Sequence, residues 1–194
     1  MLTKPNWTMI AGLGTLAGEN SVGTTEIADG AVTAAKLAAG VPIQTVSAVS
    51  TTYATVNSAG TERIPGDDTI PQSGEGKQIV SLAIIPKLAG SILRVRAFIP
   101  LIQAGGSGFI TTVGALFRDS AAGAMATGVT LLYAGCNGAF ILETEVAAGS
   151  TVATTFALRF GPVENVPLYL LGNNTSRLFG GALRISLGIT EIKN

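Results

Sequence analysis

From residue 43 to the end of the chain, apolar residues recur with a period of two. The last run is the cleanest: Leu183, Ile185, Leu187 and Ile189 fall on one side, and Arg184, Ser186, Gly188 and Thr190 on the other. Successive side chains of a strand point to opposite faces, so this pattern predicts strands with one face in a core. Leu93, Val95 and Ala97 alternate in the same way with Arg94, Arg96 and Phe98. Val113, Ala115 and Phe117 alternate with Thr112, Gly114 and Leu116, and Phe156, Leu158 and Phe160 with Thr155, Ala157 and Arg159. Turn signals separate the runs, among them Pro65-Gly66-Asp67-Asp68, Ala89-Gly90, Ala104 to Gly108, Gly135, Ala148-Gly149 and Gly172 to Asn174. About eight to ten strands at this spacing, with no helix-length segment between them, predict an all-β, antiparallel, jelly-roll-like β-sandwich. A small closed barrel is the alternative. Ile79 to Ile85 and Leu168 to Leu171 are apolar on both faces. Such strands are covered on the outside by another subunit or by loops of their own chain.

The first 42 residues follow a different rule. Val22 to Gly40 reads as two copies of a ten-residue unit, with Val22, Glu26, Ile27, Ala28 and Gly30 recurring as Val32, Lys36, Leu37, Ala38 and Gly40. Thr33 is placed to cap a short helix over Ala34 to Ala39, Gly40 suits a left-handed position after it, and Pro42 prevents continuation. One or two helical turns are unstable alone. Ile27 and Leu37 are therefore the expected contacts between parallel chains, with Glu26 and Lys36 at matched positions of opposite charge. Residues 1–21 carry the only Trp of the chain. Trp7, Ile10 and Leu13 form the candidate anchor, since a free arm cannot bury an aromatic side chain by itself. The expected organisation is an arm at 1–21, a helical or extended stalk at 22–42 and a head at 43–194.

Charge narrows the function. Only 12% of the 194 residues are charged, against roughly 25% in an average soluble domain. A surface so poor in charge is usually covered by a partner, and a closed homo-oligomer is the simplest cover. The 12 basic and 12 acidic residues balance and form no basic run, which argues against nucleic-acid or membrane-surface binding. No apolar run reaches the ~20 residues needed to span a bilayer, so membrane insertion is not expected. The absence of His removes most triads and imidazole metal sites. Neither catalysis nor a cofactor is expected. Glu143 and Glu145 share one strand face, and Asp67-Asp68 reads as turn chemistry. The single Cys136 is expected to be a small core residue. Arg94, Arg96, Arg118 and Arg159 lie opposite the core, with Glu143, Glu145 and Glu164 as candidate partners.

Several stretches resemble bacteriophage structural proteins. Ala28 to Ala38, ADGAVTAAKLA, is similar to segments of fibre and appendage proteins that join a virion-binding N-terminus to a receptor-facing head. Asp67 to Lys87, Ala115 to Ala126 and Asn173 to Lys193 resemble a recurring phage head domain. The resemblance implies a homotrimeric β-sandwich tip, a virion location, attachment through the arm to capsid, portal, neck or tail proteins, and contact with host-surface polysaccharide. It identifies no binding residues. The chain lacks a long shaft, which favours a short fibre or spike over a long tail fibre. A capsid decoration protein that stabilises the shell is the alternative.

Overall fold

The computed structural model describes residues 31–57 and 60–194. Within residues 1–37, the described part holds a single 3-10 turn, Ala34–Lys36. The helix is shorter than the pattern predicts, and the Thr33 side chain does not cap it. A single turn has too few internal hydrogen bonds to propagate, and Leu37 is already extended. Gly40 does take a left-handed φ of 81°. It does so at the corner of a turn in which the Val41 amide donates to the Ala38 carbonyl at 3.4 Å.

Residues 38–194 form a two-sheet, all-β sandwich. Ten strands follow in order: β1 (Pro42–Ser50), β2 (Ala54–Val56), β3 (Lys77–Ile84), β4 (Ile92–Ala104), β5 (Phe109–Arg118), β6 (Ala126–Tyr133), β7 (Asn137–Ala147), β8 (Thr154–Pro162), β9 (Leu168–Leu170) and β10 (Ile185–Ile192). One sheet runs β1-β10-β4, with β7 along the other side of β4 and the short β9 and β2 extending the first side. The second sheet runs β3-β8-β5-β6. Every pairing is antiparallel.

The period-two pattern reports the core face of β4, β8 and β10 but not of β5, whose Val113, Ala115 and Phe117 face away from the main core while Arg118 shares the core side with Leu116. Leu93, Val95 and Ala97 of β4, Phe156, Leu158 and Phe160 of β8, and Ile185, Leu187 and Ile189 of β10 are all fully buried in one core between the sheets. Each of these side chains larger than Ala97 contributes roughly 1.5–3 kcal/mol on leaving water. The two sheets interlock at Phe140 of β7, which packs edge-on against Phe160 of the opposite sheet, with ring centroids 5.2 Å apart. Its ring lies over Gly114 and Gly128, which are cross-strand partners on β5 and β6. A Cβ at Gly114 would occupy the space of the ring. Paired glycines inside strands mark this close approach.

The outward face of β5 is also buried. Val113, Ala115 and Phe117 pack beneath Ile64, Val163 and Ala124. Ile64 belongs to the long β2–β3 connection, which lies along the second sheet. Its amide donates to the Pro162 carbonyl at 3.1 Å, Gln72 bridges Gly123, and the Arg63 guanidinium donates to the Val163 carbonyl. For β5, loops of the same chain provide the outer cover. Leu168, Leu170 and Leu171 around β9 lie in the main core instead.

Candidate functional site

Strand register gives the sandwich two distinct ends. The chain enters at the proximal end, where Gly40 donates to the Lys193 carbonyl at 2.7 Å and Lys193 to the Val41 carbonyl at 2.9 Å. The β3–β4, β5–β6 and β7–β8 connections lie at this end, and the β4–β5, β6–β7 and β8–β10 connections at the distal one.

The proximal end is held by two polar clusters. Glu191 occupies an inward position of β10 and is fully buried. Its carboxylate accepts from the Lys87 and Leu88 amides at 2.9 Å, from the Ser91 hydroxyl at 2.7 Å and from the Gln44 amide at 2.7 Å. Burial pushes its pKa up, but the Lys87 amide, the Ser91 hydroxyl, the Leu88 amide and Gln44 together outweigh this and hold it below the usual value near 4.5. The second cluster centres on Arg118, at the end of β5. It donates to the Thr154 hydroxyl at 3.0 Å and to the Ala147 and Ala148 carbonyls at 2.8 and 2.6 Å. Asp119, at a left-handed φ of 52°, accepts from the Thr155 amide at 2.7 Å and the Thr154 hydroxyl at 2.8 Å. The Thr155 amide is the main cause of its lowered pKa; partial burial opposes this, and Thr154 and Arg118 reinforce it.

The distal end opens where backbone and glycine form most of the wall. A cavity of about 410 Å³ is lined by Gln103, Ala104, Gly105, Gly106, Gly135, Tyr169 and Asn174. Gln103 joins its walls: its amide group donates to the Gly135 carbonyl at 3.1 Å, and its side-chain oxygen accepts from the Asn174 amide at 3.3 Å. Gly106 needs φ of 82°, and a side chain there would strike Val166 at 2.7 Å. The exposed lining is amide, phenol and peptide, with no ionisable carboxylate or ammonium group. Such a surface suits a neutral, hydroxyl-rich ligand through hydrogen bonds. Its residues come from the end of β4 and the turn after it, the β6–β7 turn, β9 and the segment after β9, so neither spacing nor periodicity could join them. Their trace in the sequence is the turn signals at residues 104–108, 135 and 172–174.

The predicted arginine pairs resolve in part. Arg94 meets Glu145 at 2.7 Å, and both Arg94 and Arg96 lie 3.9 Å from Glu143, on the open face of the first sheet. Glu164 instead accepts from the Thr111 amide at 2.9 Å. Arg159 donates to the Glu75 and Gly76 carbonyls, pinning the β2–β3 connection. Asp67 caps its own turn, accepting from the Thr69 amide at 3.0 Å. The core assignment of Cys136 is corrected: it is exposed, because it sits in the β6–β7 turn rather than on a strand. Of the proposed stalk contacts, Leu37 is half-buried, and Lys36 is exposed and donates to the Ala31 carbonyl at 2.5 Å. Glu26 and Ile27, and the anchor residues Trp7, Ile10 and Leu13, lie outside the described residues. No group of three or more Cys, Asp or Glu side chains that could hold a metal occurs among the described residues.

No protein-family model matches the chain, and no curated protein does. Among solved structures, it aligns with a chain from the structure of infectious bursal disease virus Gx strain at 12% identity and a TM-score of 0.35, over 79% of this chain and 40% of that one. This chain therefore spans well under half of that neighbour, and a likeness this distant carries no argument about role.

Proposed function

We propose that the chain is a virion structural protein, a homotrimeric short fibre or spike of a bacteriophage. The arm at residues 1–21 attaches it to head or tail, and the sandwich projects. The observation that carries the reading is the polarity of the sandwich. The chain enters at an end stiffened by Glu191 and Arg118, and the opposite end presents an open polar cavity. The strand order, β1-β10-β4-β7 facing β3-β8-β5-β6, supports a jelly-roll reading of the sandwich, an architecture used in viral capsid and lectin domains. Fold alone does not imply function, so the resemblance of Ala28 to Ala38 to phage fibre segments is the second support. Immunogold labelling of phage particles with antibody to residues 43–194 tests the location. Discrete label at head or tail is expected, and unlabelled particles overturn the reading. Particles without the protein should keep their heat resistance; loss of that resistance would favour a decoration protein.

The distal cavity favours a ligand role for the same protein, with Gln103, Tyr169 and Asn174 contacting host-surface polysaccharide. Binding to glycan arrays should fall at least tenfold in Tyr169→Ala. Binding that survives this change places any glycan contact elsewhere.

A further inference from the structure

The cover over the second sheet stops short of its edge. The outward positions of β6 and the start of β5 are Thr127, Val129, Leu131, Tyr133, Phe109 and Thr111, none of them charged. Val129 is 66% exposed, Leu131 60%, Tyr133 54% and Phe109 69%. Phe109 and Tyr133 are cross-strand partners in edge-to-face contact, with centroids 5.4 Å apart, so the aromatic end of the stripe is preformed. At the other end, Ile70 of the covering connection, 63% exposed, lies across a cleft of about 310 Å³ from Thr127. The stripe thus extends along the sandwich from the proximal cleft to the distal turn.

We infer that this stripe is where one head packs against a second copy of the chain. The inference rests on the homotrimeric reading above and assigns it a face. Area is the first argument. Taking roughly 200 Å² as the full surface of such a side chain, the five open side chains expose on the order of 600 Å². That is at the top of the range for the largest apolar patch on a monomer, about 300–600 Å², and near the ~800 Å² that each partner contributes to a standard interface. The second argument is the edge. Among the described residues, β6 pairs only with β5. Edge strands of monomers are normally protected by charge, proline or a bulge, and β6 has no charge, no proline and an unbroken register with β5. An unprotected, uncharged edge leaves room for another copy of the chain to pack beside it. The open face of the first sheet, by contrast, carries Arg94, Arg96, Glu143 and Glu145, already paired within the chain. Side-by-side copies would bury the aromatic end near the distal cavities, bringing those cavities together at one tip.

Sedimentation velocity of the full chain at micromolar concentration, wild type against Leu131→Glu, tests the assignment. The expected result is an oligomer for the wild type and the 19.6 kDa monomer for the variant, with the same far-UV circular dichroism. If the Glu variant does not fold, Val129→Thr combined with Leu131→Thr keeps strand propensity and should still weaken association at least tenfold. A variant as oligomeric as the wild type overturns the assignment, and so does a monomeric wild type. The virion reading fails separately: a chain that is dissociated by Leu131→Glu but never found on particles would keep the interface and lose the location.

Discussion

The two ends of the sandwich are made from the same strands but held in different ways. At the proximal end, side chains reach across connections: Glu191 gathers the β3–β4 connection, and Arg118 with Asp119 gathers the start of β8. Around the distal cavity, the turns are held mainly by peptide groups, as where Gly135 donates to the Ala104 carbonyl and Gly105 to the Pro167 carbonyl, both at 2.9 Å, while beside it the buried Asn57 side chain donates to the Val166 carbonyl at 3.0 Å. A buried carboxylate with several donors fixes a loop in one place, because any donor released inside is left without water. Glycine turns leave the backbone open to a ligand. The difference teaches that the end receiving the chain is built for stiffness and the opposite end for access.

Four measurements would break or sharpen this contrast. Glu191→Ala should have the largest effect. It leaves the Lys87 and Leu88 amides and the Ser91 hydroxyl without their acceptor, and should cost roughly 2–4 kcal/mol in denaturant unfolding. A loss under about 0.5 kcal/mol would mean that the proximal end is not specially braced. Arg118→Ala comes next. It releases two carbonyls and the Thr154 hydroxyl, and a cost of about 1–3 kcal/mol is expected in the same assay.

The third is acid sensitivity. Glu191 and Asp119 both have depressed pKa values in the folded protein. The stability that they contribute is present above their unfolded values, near 4.5 and 3.8, and is lost as pH falls through the lower folded values. Thermal unfolding should therefore drop steeply in acid below these values, and the drop should be shallower in Glu191→Gln. An equal slope in both proteins would break the argument. Gln103→Ala should be the smallest, about 0.5 kcal/mol or less, because its hydrogen bonds are exposed. If it destabilises as much as Arg118→Ala, the distal end is braced too and the contrast fails.

Alternation in the sequence determined much of this protein. The inward sides of β4, β8 and β10 followed from a period of two, because the pleat of a strand alone sets which side a residue faces. The same alternation extended one step past Ile189 marks Glu191 as inward. Turn chemistry set most strand limits, and Gly40 had to sit where φ is positive, although in a different turn. Tertiary structure decided the rest. A period of two cannot say which strands pair, so the opposition of Arg94 to Glu145 and the seat of Phe140 on Gly114 and Gly128 came only with register. It cannot say what covers an outer face either. Val113 and Val129 are cross-strand partners of the same residue type on the same face, yet one is buried under the β2–β3 connection and the other is open. That difference is set by residues some fifty positions away in the chain, beyond the reach of any local pattern.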